Sequence, residues 1–269
     1  MNKKFIKNIV SGIVIAIVII IIGFIWYDRS TVNNKYYISE ADLKIPIFVY
    51  HDIVNSDSEI EFDYMQTTKE KFEQQMLGLE KVGYHFITYE DLQQYYNGNK
   101  KLYKKSCLVT FDDGYKGVYE NAYPIVKEYN IPITIFVITD NMEKDGVLTW
   151  DETKEMSESG LVTIASHSTN HPEFTKLSSE EALENVNESY EIISEKIGEN
   201  STKIFTYPYG LYTEDEVQCL KENGYIQNLT DNKINKSNNL DIYSLHRCYP
   251  LNDSVSRMIA KIFYRSIRY

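Results

Sequence analysis

Short apolar runs alternate with amphipathic stretches from Ile45 to the end of the chain. The runs are continuously apolar, which is typical of strands buried on both faces. They are IPIFVYH (Ile45–His51), SCLVTF (Ser106–Phe111), ITIFVI (Ile133–Ile138), LVTIASH (Leu161–His167) and the shorter HFITY, KIFTY, YIQNL and IYSLH. The clearest helices predicted between or after them cover residues 67–83, 115–129, 178–197 and 252–264.

This alternation predicts an α/β fold in which helices cover a parallel sheet. There are about seven or eight strand-helix units and no GxGxxG motif. These two features favour an α/β barrel over a dinucleotide-binding sheet.

The first 42 residues follow a different pattern. Residues 9–26 form an apolar run without charge, and Lys3, Lys4 and Lys7 precede it. Such a run is about long enough to cross a bilayer, and the bulky residues at its end argue against cleavage. Because lysines favour the cytoplasmic side, the sequence predicts a cytoplasmic tip (1–8), a transmembrane signal anchor (9–26), an extracellular stalk (27–42) and a folded domain outside the cell membrane (43–269).

Charge and cysteine spacing exclude some kinds of partner and site for the folded domain. The chain has 269 residues and a formal net charge of −11. This acidic balance argues against a nucleic-acid partner, which would need a basic face. The three cysteines, Cys107, Cys219 and Cys248, lack the short spacings of a disulfide framework or a zinc knuckle.

Titratable residues collect where the predicted strands end. In a parallel barrel, the carboxyl ends of the strands form the face that carries the active site. Four of the five histidines lie at such ends, together with two adjacent carboxylates and one arginine: His51, Asp112, Asp113, His167, His171, His246 and Arg247.

His167 and His171, with Asp112 and Asp113, indicate a metal site. Two histidines and one carboxylate are a common catalytic zinc set that leaves a position open for water. One carboxylate would bind the metal, and its neighbour would accept a proton from the attacking water. Gly114 lets the backbone turn away at once. The alternative interpretation is that Asp-Asp-Gly forms only a turn.

The motifs TFDDGY, HSTNHP and YPYG, in this order, resemble those of the polysaccharide deacetylases, carbohydrate esterase family four. The segments IPIFVYHDI, KFEQQMLGLEKVGYHFITYEDL and TWDE resemble the branch that deacetylates poly-N-acetylglucosamine. The resemblance covers the chain from about Ile45 to its end. It implies a distorted (β/α) barrel with about seven strands.

The resemblance also implies roles for individual residues. Asp113, His167 and His171 would bind a divalent metal, usually Zn²⁺, with Co²⁺ and Ni²⁺ as alternatives. Asp112 would be the general base. In YPYG, the segment of Pro208 and Tyr209 would supply a backbone N–H that stabilises the oxyanion formed when water attacks the acetamide carbonyl. Trp150 would line the sugar groove, although ordinary packing explains it nearly as well.

Two positions depart from the pattern of much of the family. Thr206 stands where many members carry an arginine that holds the base, and we hypothesise that Arg247 holds Asp112 instead. The general acid is expected to be His51, with His246 as the alternative.

The predicted activity is metal-dependent removal of N-acetyl groups from extracellular poly-β-1,6-N-acetylglucosamine or a related β-linked polymer. One alternative is a peptidoglycan N-acetylglucosamine deacetylase. A second is a non-catalytic glycan-binding protein on the same fold. An exopolysaccharide synthase or exporter would be the expected protein partner.

Overall fold

A computed structural model describes residues 43–61, 64–198 and 202–268. Within them the strands are β1 (Lys44–Ile45), β2 (Ile47–Tyr50), β3 (Asp52–Val54), β4 (Gln66–Thr68), β5 (His85–Phe86), β6 (Ser106–Phe111), β7 (Ile133–Val137), β8 (Val162–Ser166), β9 (Ile204–Thr206), β10 (Ile226–Leu229), β11 (Asn235–Lys236) and β12 (Leu245–His246). The α-helices are α1 (Lys69–Lys81), α2 (Tyr89–Tyr96), α3 (Tyr123–Tyr129), α4 (Trp150–Glu158), α5 (Ser179–Ile197), α6 (Glu214–Glu222) and α7 (Val255–Arg268).

Seven parallel strands form a nearly closed barrel in the order β12-β10-β9-β8-β7-β6-β2. The two ends of this order meet at a parallel bridge between Phe48 and Cys248. There the Val49 N–H donates to the Cys248 carbonyl at 3.1 Å, and the Cys248 N–H donates to the Ile47 carbonyl at 2.9 Å. The predicted α/β barrel of about seven strands is therefore confirmed.

Burial explains why continuous apolar runs form these strands. Every residue of β6 and of β7 is buried. Each of these strands packs on the barrel interior with one face and on helices with the other. In α1, Phe72, Met76 and Leu79 recur on one helical face and are fully buried. Each such side chain contributes about 1.5–3 kcal/mol of hydrophobic stabilisation.

Capping residues and proline determine where the helices begin and end. At the start of α5, the Ser178 hydroxyl accepts from the Glu181 N–H and the Glu181 carboxylate accepts from the Ser178 N–H, a capping box. The helix predicted over 115–129 is instead a π-helical turn (Val118–Ala122) followed by α3. Pro124 lacks the N–H that an α-helix would donate to the residue four positions earlier.

The predicted localisation, a single-pass protein of the cell membrane, is corrected by the structure. Among the described residues, no helix has both the length and the apolar composition needed to cross a bilayer. The longest of them, α5, has 19 residues and carries many charged side chains. The predicted tip, anchor and stalk (1–8, 9–26 and 27–42) lie outside the described residues.

Candidate active site

A cavity of about 550 Å³ opens at the carboxyl ends of the barrel strands. Its histidines and two of its aspartates follow strands: His51 comes directly after β2, Asp112 and Asp113 after β6, and His167 after β8, with His171 four residues further on. Five tyrosines complete most of the wall: Tyr64, Tyr115, Tyr207, Tyr209 and Tyr249. The fold therefore brings together in one cavity five of the seven strand-end residues that the sequence singled out.

Asp113, His167 and His171 converge as one cluster, with candidate ligand atoms all within 4.8 Å of one another. Asp113 Oδ1 lies 3.4 Å from His167 Nε2 and 3.6 Å from His171 Nε2. Ligands at zinc distances in a tetrahedron are separated by about 3.4 Å. The two Asp113–histidine distances and the donor set fit a divalent metal such as Zn²⁺.

The hydrogen bonds around the cluster support the same conclusion. His167 Nδ1 lies 2.9 Å from the Thr206 carbonyl and donates to it, so Nε2 is free as an acceptor in the neutral ring. Asp113 Oδ1 is buried and accepts no hydrogen bond. When the His167 ring is neutral, two acceptors face each other, an arrangement that a cation between them would satisfy. Burial lowers the pKa of His167, but the Asp113 and Asp112 carboxylates outweigh it and raise the pKa, so without a cation the ring takes up a proton more readily. Burial, followed by the His167 charge, lowers the pKa of His171 to about 4, so the ring is neutral at pH 7.

The backbone of the cluster is unusual. Asp113, Gly114, His171 and Tyr209 have φ values of 71°, 73°, 57° and 58°. Non-glycine residues seldom adopt this left-handed region, and such strain concentrates at functional sites. A Cβ on Gly114 would lie 3.3 Å from Val137 Cγ1 in addition to the positive φ. Glycine is thus favoured where the chain leaves β6, since both the positive φ and the close side chain of Val137 disfavour a Cβ.

Arg247 binds Asp112 through two parallel hydrogen bonds. Nη1 and Nη2 of Arg247 donate to Oδ1 and Oδ2 of Asp112, both at 2.7 Å. Arg247 Nη1 also donates to Thr110 Oγ1 at 3.2 Å. Thr230 Oγ1 accepts from Nη2 at 2.8 Å and from Nε at 3.2 Å. All five N–H groups of the guanidinium are therefore used, and the side chain is fixed although it is only 1% exposed.

This pairing controls the charge of Asp112. Burial alone would raise the pKa of the carboxyl, but the charge and hydrogen bonds of Arg247 outweigh it and hold the pKa at about 2. Asp112 is therefore an ionised carboxylate in a fixed orientation on the cavity wall.

His51 lies on the cavity wall near these carboxylates and is nearly buried. Its ring is parallel to that of Tyr249, with the centroids 6.0 Å apart. Burial lowers the pKa of His51, and the negative charges of Asp112 and Asp113 oppose this shift.

Four predicted residues lie outside the cavity lining, and one of them, Arg247, reaches the site through Asp112. His246 pairs with Asp231, with Nδ1 and Oδ2 at 2.9 Å. Trp150 is at the start of α4 and packs against the large core cluster. Pro208 is buried beside Tyr209, whose exposed ring packs edge-on against His171 at a centroid distance of 4.4 Å.

Sequence reasoning missed several wall residues, notably Thr230, Tyr249 and Tyr115. Thr230 follows β10 directly, so the rule that identified the histidines would also have found it. Tyr115 follows the Asp-Asp-Gly turn, and Tyr249 comes two residues after Arg247.

The barrel and the cavity together define the class of protein: an α/β-barrel enzyme with a candidate metal site beside a fixed carboxylate. Residues 99–227 match the family model described as Polysaccharide deacetylase. The Bacillus subtilis (strain 168) protein YxkH, named as a polysaccharide deacetylase, is 31% identical over 209 residues, which are 78% of this chain and 72% of that protein. The chain therefore belongs to the polysaccharide deacetylases, enzymes of carbohydrate esterase family four that hydrolyse the amide bond of N-acetyl groups.

Other relatives agree with this family. The poly-beta-1,6-N-acetyl-D-glucosamine N-deacetylase of Staphylococcus aureus is 30% identical over 190 residues, which cover 66% of this chain and 65% of that protein. Among solved structures, the Streptococcus pyogenes deacetylase PplD in complex with acetate has a TM-score of 0.74 and 27% identity, covering 82% of this chain and 99% of that one. IcaB from Ammonifex degensii has a TM-score of 0.70 and 26% identity over 82% of this chain and 98% of that one.

Proposed function

We propose that this polysaccharide deacetylase is metal-dependent and acts on poly-β-1,6-N-acetylglucosamine or a related β-linked N-acetylglucosamine polymer. The observation that carries the proposal is the juxtaposition in one cavity of the cluster Asp113, His167 and His171 with the carboxylate of Asp112. The likeness to the Staphylococcus aureus enzyme supports the choice of polymer.

Asp113, His167 and His171 would hold the metal. A bound Zn²⁺ supplies a Lewis acid that polarises the acetamide carbonyl and lowers the pKa of water. The Thr206 carbonyl fixes the orientation of the His167 ring, and the edge-on Tyr209 ring packs against His171.

Asp112 is the proposed general base. Since Arg247 keeps it ionised and oriented, it accepts the proton of the water that attacks the acetamide carbon. A backbone N–H near Tyr209 donates to the oxyanion that forms on the carbonyl oxygen. When the C–N bond breaks, the products are acetate and a free amine on the sugar.

His51 is the proposed general acid that protonates the leaving nitrogen. It lies on the cavity wall with Asp112 and Asp113, whereas His246 lies off that wall and pairs with Asp231. This arrangement favours His51 over His246.

Acetate release from different glycans tests the proposal. The full chain is stripped of metal, supplied again with Zn²⁺, and incubated with β-1,6-linked N-acetylglucosamine oligomers or with peptidoglycan fragments. Release from the oligomers supports the proposal. Acetate release from peptidoglycan alone would show that peptidoglycan is the substrate. Binding of either glycan without acetate release would support a glycan-binding role.

A further inference from the structure

The loop between the two histidines of the cluster has no regular structure of its own. It spans residues 167–171, and Ser168 and His171 have φ values of 74° and 57°. Because L-residues rarely adopt this conformation, the surroundings must hold the loop in it. The two histidines depend on this support to different degrees.

His167 is anchored at both its backbone and its ring. It directly follows β8, its N–H donates to the Val137 carbonyl at 2.9 Å, and its ring donates to Thr206. By contrast, no hydrogen bond from the described residues holds the His171 ring. Apart from the packing of the Tyr209 ring against it, the position of His171 therefore depends on the loop.

Inside the loop, a few short bonds define its shape. The His171 N–H donates to Ser168 Oγ at 2.9 Å, and the Ser168 N–H donates to Ser166 Oγ at 3.1 Å. The Asp140 N–H donates to the Thr169 carbonyl at 2.9 Å. The Thr169 hydroxyl also donates to Asn170 Oδ1 at 3.3 Å. The other contacts of these two side chains come from outside the loop.

Asn185, on α5, contacts both of those residues. Its Oδ1 accepts from the Thr169 N–H at 3.0 Å. Its Nδ2 donates to Thr169 Oγ1 at 2.7 Å and to Asn170 Oδ1 at 3.2 Å. Both donors of this side-chain amide and its acceptor are thus used on the segment between the two histidines. In effect, α5 holds the loop through one side chain.

We propose that Asn185 is a positioning residue that sets the metal affinity of the site by holding His171 in its ligating position. The inference rests on the metal site of the proposed function. Without Asn185 the loop samples other conformations, and metal binding must then order it. Loss of an outer partner that contacts a metal ligand directly typically weakens metal affinity 10- to 100-fold. Asn185 acts on His171 through Thr169 and Asn170, so we expect the lower end of this range.

The test compares two asparagines of the same helix. Asn185→Ala removes the contacts to the loop. Asn187→Ala is the matched control, because Asn187 Oδ1 accepts from the Tyr225 hydroxyl at 2.7 Å, away from the loop. Zn²⁺ affinity of the metal-stripped full chain is measured by competition with a chelator. We expect Asn185→Ala to bind Zn²⁺ about 10-fold more weakly than the unmodified protein, and Asn187→Ala to be unchanged.

A second variant covers the case in which Asn185→Ala does not fold. Thr169→Val removes the hydroxyl that Asn185 holds and should weaken Zn²⁺ binding in the same direction. The inference is overturned if the folded variant binds Zn²⁺ as the unmodified protein does, or if Asn187→Ala is weakened equally. A protein that shows the expected order of Zn²⁺ affinities but releases no acetate supports this inference and contradicts the proposed function.

Discussion

Replacing Arg247 by methionine tests whether the buried ion pair holds Asp112. The methionine fills similar space but removes the charge and all five N–H donors. Asp112 and Arg247 are only 4% and 1% exposed, so solvent compensates poorly for the lost partner. Thr110 and Thr230 lose a donor as well. The variant thus leaves a buried carboxylate without its counter-charge.

The expected magnitude follows from this burial. Breaking a buried pair by removing one partner costs about 3–5 kcal/mol. In a chain of this size, each kcal/mol lowers the melting temperature by about 2–4 °C, so we expect a loss of about 6–20 °C. Arg247→Lys should be intermediate, because lysine keeps the charge but cannot form two parallel bonds to one carboxylate.

The assays are thermal unfolding, which gives the melting temperature, and urea unfolding, which gives the free energy of unfolding, of the metal-stripped protein. Acetate release is measured after Zn²⁺ is restored. Arg257→Met is the control, since Arg257 also pairs with an aspartate, Asp253 at 3.1 Å, but is 72% exposed. An exposed pair is worth about 0–1 kcal/mol. Arg247→Met should also lower the rate by about 100-fold or more, because a positioned base contributes about 10²–10⁴-fold. If Arg247→Met matches Arg257→Met in stability and keeps the full rate, the reasoning is refuted.

Three further outcomes are expected. His51→Gln should lose most acetate release while His246→Gln keeps most of it, and the reverse result would exchange their roles. Asp113→Asn should abolish stoichiometric Zn²⁺ binding in a chelator competition, because the cluster loses its anionic ligand. Unchanged Zn²⁺ affinity would show that Asp113 is not a metal ligand. Gly117→Ala should lower the free energy of unfolding in urea by about 1–3 kcal/mol, since its Cβ would lie 2.4 Å from the Ile53 carbonyl oxygen. Unchanged stability would show that the backbone there adapts.

The barrel could be predicted because its strands are buried on both faces and therefore read as continuous apolar runs. The run Ser106–Phe111 was predicted with the limits that β6 has in the structure. The pairs β1–β11 and β3–β4 were not predicted. Their strands have only two or three residues, which is too short for a hydrophobic pattern to be recognised.

The candidate site was partly predictable for a related reason. Residues directly after parallel strands meet at one end of the barrel, so Asp113, His167 and His171 could be identified from position alone. That the side chains of the neighbouring residues His246 and Arg247 lie in different places could not be identified from position alone. Successive side chains along a strand point to opposite faces, and here Arg247 enters the barrel while His246 pairs outside with Asp231. Which residue faces inward depends on a register that the sequence does not define.

Zinc-dependent acetate release most directly tests the central claim. The full chain, stripped of metal, is assayed on β-1,6-linked N-acetylglucosamine oligomers with and without added Zn²⁺, beside Asp112→Asn. The account predicts release only with Zn²⁺, and none from Asp112→Asn even when it binds the metal. Equal release without metal, or full release by Asp112→Asn, would contradict it.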